Sequence, residues 1–237
     1  PQIRRTNGYI DELVATVPRD SRSTGTVSRI VSFAENGDFI WFTEWTAASG
    51  FPPVQPFYSR IFRLDPSTKA LVDCKITGSS GATGSIFHSL AEYNGRMFVG
   101  ECTNTASGTP TVKGIIPTAS GAVDDTALGS IFPGSGERNV HSICKYDGRL
   151  FAGFGMVTSG AFAHVYELTL TASGAWTMTS SLTGAGGTGA VCNRFVSLAE
   201  YKSKLYASYF NPITASGTSV IYQYDGTTWT GVFTSSG

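Results

Sequence analysis

Hydrophobic and polar positions along the chain repeat at intervals of a little over fifty residues. The segments IFHSLAEYNGRMFVGE (86–101), NVHSICKYDGRLFAGF (139–154) and RFVSLAEYKSKLYASY (194–209) follow one pattern, and RIVSFAENGDFIWFTE (29–44) is a more divergent copy. The serines that align across the four copies are Ser32, Ser89, Ser142 and Ser197. Because self-similarity at a fixed period indicates a repeat architecture, the chain is predicted to contain four copies of one unit.

A second pattern follows the first in each unit. The segments SRIFRLDPSTKALVDC (59–74), HVYELTLTASGAWTMT (164–179) and SVIYQYDGTTWTGVF (219–233) align, and VKGIIPTASGAV (112–123) is a less regular copy. Apolar and polar residues alternate within them, which is the period of two expected for a β-strand. Each unit is therefore predicted to hold four short strands.

Turn residues separate the strands. Asn94-Gly95 and Asp147-Gly148 lie between the first and second strands of their units, and they are strong hairpin signals because both turn positions need a positive φ. Asp65-Pro66 and Asp225-Gly226 lie between the third and fourth strands and are also typical of turns. No sustained helical periodicity interrupts this pattern, so an all-β fold is expected.

Repeated four-stranded units of this length are the signature of a β-propeller. The sequence predicts one propeller domain over residues 27–237, with four blades of four antiparallel strands. The predicted blades are about 27–77, 84–132, 137–182 and 190–234. Residues 1–26 are an N-terminal extension or contribute a strand of a preceding blade, in which case the chain is part of a larger propeller or closes by oligomerising.

The phrase Y-[ND]-G-[RK]-[LM]-[FY]-[AV]-G occurs at 93–100 and 146–153. It resembles kelch-like and related propeller repeats of bacterial and viral surface proteins, and the resemblance covers about residues 27–234. It implies the architecture rather than an activity, because propellers serve as lectins, scaffolds and hydrolases.

The amino-acid composition limits the classes of partner that the protein is expected to bind. Charged residues make up 14% of the 237 positions, well below the roughly 25% of an average soluble protein, which favours an extracellular or virion-surface location. Lys plus Arg equals Asp plus Glu at 17 each, so nucleic acid is not an expected partner. No apolar run is long enough to span a membrane. A homo-oligomer or assembly within a larger particle is compatible with this neutral surface.

No cofactor or metal site is predicted. GAGGTG (184–189) has the spacing of a dinucleotide-binding turn, but a strand follows it where a helix is needed, so it is read as a crossing between blades. The four cysteines form no C-x-x-C motif and are expected to be free, mostly buried thiols, although disulfides stay open. They are Cys74, Cys102, Cys144 and Cys192.

The face that carries the connections between second and third strands is the predicted recognition surface, because long loops on a rigid scaffold usually carry binding residues. These loops are predicted at about 45–58, 102–111, 155–163 and 210–218. Aromatic side chains near them would suit flat contacts with sugar rings or with a surface protein, or would pack the loops onto the blades. They are Trp45, Phe57, Tyr58, Phe154, Tyr209 and Phe210.

The first strands of the units begin at the same face, near the expected axis. Arg29, Asn139 and Arg194 occupy equivalent repeat positions there, and so do His88 and His141. Such a ring could bind an anion such as a carboxylate or an acidic sugar. The alternative is that the histidines are core residues satisfied by backbone hydrogen bonds.

Enzyme motifs are sparse. His164 has no matched Ser or Cys motif, and there is no G-x-S-x-G. Glu44 and Glu101 are repeat-equivalent and could approach one another as a glycosidase pair, but acids that recur with the repeat are usually structural. The sequence therefore predicts a non-catalytic recognition or adhesion module at a cell or virion surface that binds glycan or protein. A structural subunit of a virion, particle or extracellular filament is the alternative, and a glycoside hydrolase is the third.

Overall fold

The structure is a computed structural model, and it describes most of the repeat units and part of the N-terminal segment. The described residues are 2–6, 11–18, 27–49, 54–77, 85–103, 110–124, 130–131, 139–155, 162–170, 176–184, 194–211 and 218–236. Within these ranges all regular secondary structure is β-strand, with no helix. The expected all-β fold is confirmed. None of these residues belongs to a helix of the length and apolarity needed to cross a membrane.

Most strands fall in or next to the aligned segments, whereas the two strands of the first sixteen residues and the two-residue strand at 130–131 lie outside them. Their bounds are β1 (Gln2–Thr6), β2 (Asp11–Thr16), β3 (Val27–Asn36), β4 (Phe39–Ser49), β5 (Val54–Leu64), β6 (Leu71–Thr77), β7 (Ser85–Tyr93), β8 (Arg96–Thr103), β9 (Thr111–Thr118), β10 (Gly121–Asp124), β11 (Ser130–Ile131), β12 (Asn139–Tyr146), β13 (Arg149–Gly155), β14 (His164–Leu170), β15 (Trp176–Thr183), β16 (Arg194–Tyr201), β17 (Lys204–Asn211), β18 (Thr218–Tyr224) and β19 (Trp229–Ser236).

Consecutive strands pair antiparallel in units of four. β3 to β6 form one sheet, and β7 to β10, β12 to β15 and β16 to β19 form three further units, with β11 beside β9. Single residue pairs, Asn139 with Cys102 and Gly155 with Arg194, join the last three units edge to edge. β1 and β2 form a separate hairpin. The described strands do not close into a ring.

The hairpin turns follow the predicted chemistry. Asn94 and Gly95 have φ values of 52° and 76°, and Asp147 and Gly148 have φ values of 48° and 67°. The first of the predicted long loops, 45–58, needs correction, because β4 continues to Ser49 and β5 already begins at Val54. Aromatic and β-branched residues favour the strand state there and extend both strands.

The apolar core lies between neighbouring units. Trp41 of the first unit packs in a cluster with Phe87 of the second, and Phe151 of the third packs with Phe195 of the fourth. Another cluster joins the second and third units through residues that include Phe98, Val140 and Phe154. Ala15 and Val17 cover Phe42 and Phe62 on the other side of the first unit. The N-terminal hairpin thus packs where a preceding unit would pack.

A repeated tyrosine links each turn to the next unit. The hydroxyl of Tyr93 donates a hydrogen bond of 2.7 Å to the carbonyl oxygen of Gly148. The hydroxyl of Tyr146 does the same to the carbonyl oxygen of Ser203 at 3.1 Å. This contact gives a physical reason for the tyrosine that opens the repeated phrase.

The glycine that ends the same phrase has a packing role. A Cβ at Gly100 would collide with the hydroxyl of Ser89 and would lie 2.6 and 2.9 Å from two side-chain atoms of Val140 in the next unit. At the equivalent Gly153, a Cβ would lie 2.9 Å from Ser142 Oγ. Only a residue without a side chain lets the neighbouring first strand approach this closely.

Gly100→Ala is expected to lower the free energy of unfolding by about 1–3 kcal/mol, because the added methyl group overpacks a contact between units. Urea denaturation of both proteins measures the change. Gly231→Ala is the matched control, since its Cβ would meet no atom closer than 3.9 Å. Equal free energies of unfolding for Gly100→Ala and the parent protein would show that the close approach of the two units at Gly100 does not contribute to stability.

Candidate active site

Each of the four first strands carries an irregularity at the same repeat position. The register shifts between Ile30 and Ser32 in β3, and the same shift recurs in β7, β12 and β16. A β-bulge leaves one residue without a register partner and re-aims its side chain, often next to a functional site. The residues at these bulges are Val31, His88, His141 and Val196.

The two bulge histidines meet. Their ring centroids are 5.2 Å apart and the rings are nearly perpendicular. Nδ1 of His88 lies 3.2 Å from the carbonyl oxygen of His141. Because a carbonyl can only accept, the proton of His88 lies on Nδ1 and its lone pair on Nε2. Nε2 of His141 is buried and has no hydrogen-bond partner.

Both imidazoles are held neutral. Burial, together with the nearby His88 and the charge of Arg194, lowers the pKa of His141 to about 3. Burial also lowers the pKa of His88, with Arg194 acting in the same direction and the hydrogen bond to the His141 carbonyl opposing it. A neutral imidazole keeps a lone pair with which it can take a proton or bind a metal ion.

A thiol lies beside the histidines. Sγ of Cys102 donates to the carbonyl oxygen of Val140 over 3.3 Å. One ligand atom each from His88, Cys102 and His141 lie within 4.8 Å of one another. Burial raises the pKa of the Cys102 thiol, so the sulfur is protonated in this apolar setting. Cys74, Cys102 and Cys144 are all free thiols, as expected, and Cys192 lies outside the described residues.

One row of backbone partners crosses the units at this point. Cys102 pairs with Asn139, Asn139 with Gly155, and Gly155 with Arg194. The guanidinium of Arg194 lies 5.6 Å from the ring centroid of Phe210, and its Nε is buried without a hydrogen-bond partner. The positive charge of Arg194 lowers the pKa of both histidines. We call His88, Cys102, His141 and Arg194 the first-strand cluster.

Of the remaining residues predicted at the axis, Asn139 joins this row and Arg29 does not. Asn139 is buried at the start of β12. Arg29 is exposed, and its guanidinium lies 5.7 Å from the ring of Trp45 in its own unit.

The aromatic residues predicted for recognition are mostly packed inside. Phe154 and Tyr209 are 0% and 2% exposed and belong to the clusters between units. Trp45 is also buried, whereas Tyr58 and Phe210 are half-buried. The backbone of Phe57 lies in β5, and its side chain is outside the described part.

The repeat-equivalent acids are engaged in ion pairs. Oε2 of Glu44 lies 2.9 Å from an Arg60 nitrogen, and both side chains are buried. Oε2 of Glu101 lies 3.1 Å from Lys113 Nζ and accepts a 2.7 Å hydrogen bond from the hydroxyl of Thr111. Each acid is therefore neutralised by a cation on the adjoining strand. Glu44 and Glu101 therefore stabilise their own units through these ion pairs, and they do not form a pair of carboxylates that face each other across a cleft.

Several predicted features lie outside the described residues. The GAGGTG segment is described only at Gly184. Most of the loops predicted at 102–111, 155–163 and 210–218 also fall in the gaps.

Cys102 is the member of the cluster that the sequence analysis did not place in a site. Its separation from His88 and His141 follows no metal motif. The available signal was the repeat register, in which a second-strand segment ends at residue 101, just before Cys102, and the next first-strand segment starts at residue 139.

Comparison with known proteins supports the fold of this chain but does not assign it to a family. No protein-family model matches the chain, and no curated protein sequence matches it. Among solved structures, the periplasmic gluconolactonase of Pseudomonas aeruginosa is similar, with a TM-score of 0.57 and 13% identity over 99% of this chain. The chain spans 63% of the length of that protein. The fold is therefore of the propeller type, while the kelch-like part of the resemblance is not confirmed.

The comparison also corrects the functional prediction. The similar structure is an enzyme, a gluconolactonase, and this overturns the prediction of a non-catalytic recognition module and of a chain without enzymatic activity. Of the three functions predicted from sequence, the glycoside hydrolase ranked third is the one that shares the hydrolase class with this similar structure. Adhesion, carbohydrate binding and a virion role gain no support from the comparison.

Proposed function

We propose that the chain is a hydrolase of carboxylic ester bonds, with small lactones as the substrate class, and that the first-strand cluster is its reaction centre. One observation carries the proposal. His88 and His141 come from bulged positions of two neighbouring first strands and bring their rings together, and the charge of Arg194, at the start of the next first strand, lowers the pKa of both. The same type of fold in a gluconolactonase supports the choice of substrate class.

The cluster supplies the two functions that lactone hydrolysis needs. Water must lose a proton as it attacks the carbonyl carbon, and the lone pair on Nε2 of His88 can accept that proton, with the ring of His141 packed against it. Negative charge then develops on the carbonyl oxygen, where the guanidinium of Arg194 can stabilise it. The ring C–O bond breaks, the alkoxide takes one proton from the attacking water, and the other proton leaves with the new carboxylic acid.

A glycosidase mechanism has less support. It needs one protonated and one ionised carboxyl group facing across the scissile bond. Glu44 and Glu101, the acids that the repeat brings to equivalent positions, are each paired with a cation. The cluster itself holds imidazoles, a thiol and a guanidinium but no carboxylate. This chemistry suits acyl transfer to water better than glycosyl transfer.

The experiment is a hydrolysis panel on the purified chain. Small lactones and p-nitrophenyl esters are offered to the parent protein and to Arg194→Gln, and acid release is followed. Removal of one oxyanion donor typically costs ~10²–10³-fold in kcat, so Arg194→Gln is expected to lose about that factor. The effect should appear in kcat more than in KM, because the charge exists mainly in the transition state.

Arg29→Gln is the matched control, because Arg29 is the repeat-equivalent arginine of the first unit and its charge is not among the causes that shift the pKa of either histidine. It should retain the parent rate. No hydrolysis of any lactone or ester by the parent protein would refute the proposed function. Equal losses in Arg29→Gln and Arg194→Gln would refute the assignment of the site.

We further infer that the four units are four blades of an open arc and that the protein works outside the cytoplasm. The first-strand contacts, the unclosed sheets and the 63% coverage of the gluconolactonase support the arc. Val196, Tyr201 and Phe233 are exposed on the last unit, as expected for a blade without a neighbour on one side. The periplasmic location of the similar enzyme and the low charge content support the location.

A further inference from the structure

We infer that His88, Cys102 and His141 form a binding site for one divalent transition-metal ion, with zinc as the best match. The three residues offer two imidazole nitrogens and one sulfur within 4.8 Å of one another. Histidine nitrogen and cysteine sulfur are the ligands that zinc prefers, whereas calcium and magnesium take oxygen ligands. No oxygen ligand belongs to the group, so the donor set selects the transition metal.

The size of the cluster fits a tetrahedral site. Zinc–ligand bonds of about 2.0–2.3 Å place neighbouring ligand atoms roughly 3.3–3.8 Å apart. The three atoms lie within 4.8 Å, so inward shifts of about 1 Å complete the geometry. Rotation of the side chains supplies such shifts. Three protein ligands leave a fourth position open, which is the arrangement of catalytic zinc sites.

The groups around the two histidines leave one nitrogen of each ring available to a metal ion. The hydrogen bond from Nδ1 of His88 to the carbonyl oxygen of His141 fixes the ring and leaves the lone pair on Nε2. Such a second contact is typical of metal-binding histidines. Nε2 of His141 is buried without a hydrogen-bond partner, although buried polar atoms are usually satisfied. A metal ion would satisfy that nitrogen.

Charge balance is consistent with a hydrolytic role. When zinc binds, the Zn–S bond replaces the S–H bond of Cys102, and the proton goes to solvent. One thiolate and one Zn²⁺ leave a net charge of +1, next to the guanidinium of Arg194. With the imidazole lone pairs bound to zinc, water at the open position would be activated by the metal ion instead of by the imidazole, since zinc lowers the pKa of its bound water. This consequence rests on the proposed function, whereas metal binding itself rests only on the three residues.

Isothermal titration of the chelator-treated full chain with Zn²⁺ tests the inference. One site per chain is expected, with a Kd tighter than about 1 µM. Loss of an outer contact alone costs ~10–100-fold in metal affinity, so Cys102→Ser and His141→Gln should each weaken binding at least ~100-fold. Cys74→Ser and His164→Gln are the matched controls and should bind as the parent does. Co²⁺ should give a thiolate charge-transfer band that Cys102→Ser lacks.

The outcomes separate metal binding from the proposed function. The inference is overturned if the parent protein has no saturable site for Zn²⁺. It is also overturned if Cys102→Ser and His141→Gln both bind Zn²⁺ with the affinity of the parent protein. The Co²⁺ spectrum of the parent decides the matter even if a variant fails to fold. Tight zinc binding without hydrolysis leaves the metal site standing and removes the hydrolase. Hydrolysis that survives chelation in a protein that binds no zinc leaves the hydrolase standing and removes the metal site.

Discussion

Replacement of His141 by glutamine is expected to lower kcat/KM for lactone hydrolysis at least ~100-fold. His141 lies at a bulge, its Nε2 is buried, and His88 packs against its ring. Glutamine keeps polarity and approximate size but supplies no imidazole lone pair. Loss of the His141 ring also removes the packing that orients His88, and a positioned proton-transfer group typically contributes ~10²–10⁴-fold, which sets the size of the effect. Initial rates of acid release measure it.

His164→Gln is the control for this experiment. His164 begins β14, and its ring lies 5.2 Å from Tyr166 rather than in the cluster. The His164→Gln protein should hydrolyse lactones at the rate of the parent protein. Thermal unfolding of both variants checks that the fold is kept. A His141→Gln protein that folds and hydrolyses at the parent rate would exclude His141 from the reaction centre.

Replacement of Glu44 by glutamine is expected to lower the free energy of unfolding by about 3–5 kcal/mol. Glu44 is fully buried, and Arg60, which it neutralises, is buried as well. Glutamine leaves the guanidinium with Asp73 at 3.7 Å and the carbonyl of Pro18 at 2.6 Å, but without its closest negative charge. An uncompensated buried charge is costly because it has lost its hydration. Urea denaturation measures the difference.

Lys145→Gln is the matched control, because Lys145 Nζ lies 3.7 Å from Glu92 Oε2 in an ion pair whose two side chains are both far more exposed than Glu44 and Arg60. The expected change is below about 1 kcal/mol. The folded Glu44→Gln protein should also hydrolyse lactones at the parent rate. Loss of hydrolysis with an intact fold would show that this carboxylate takes part in the chemistry, and would favour the glycosidase alternative.

The sequence was informative about the fold because the repeat encodes it locally. Alternating residues defined the strands, and Asn94-Gly95 and Asp147-Gly148 form the hairpin turns expected of them. The repeated tyrosine and the final glycine of the phrase make contacts between units, which explains their recurrence. The alignment of the repeats by itself also brought His88 and His141 to equivalent positions.

The candidate site was only partly predictable. A bulge depends on how two strands pair, so the sequence alone did not show that both histidines are re-aimed. Cys102 meets them through pairing across units, which spacing along the chain does not reveal. Aromatic residues such as Phe154 and Tyr209 looked suited to ligand binding, yet the packing between units buries them. Burial between repeats is a tertiary property that periodicity does not distinguish from exposure on a loop.

Hydrolysis of a carboxylic ester bond by the first-strand cluster is the main proposal for this protein. Its sharpest test is acid release from a panel of small lactones by the parent protein and by the double variant His88→Gln/His141→Gln. We predict release well above the uncatalysed rate with the parent protein and a return to that rate with the folded double variant. A parent protein no faster than buffer on every lactone, or a double variant as fast as the parent, would contradict the proposal.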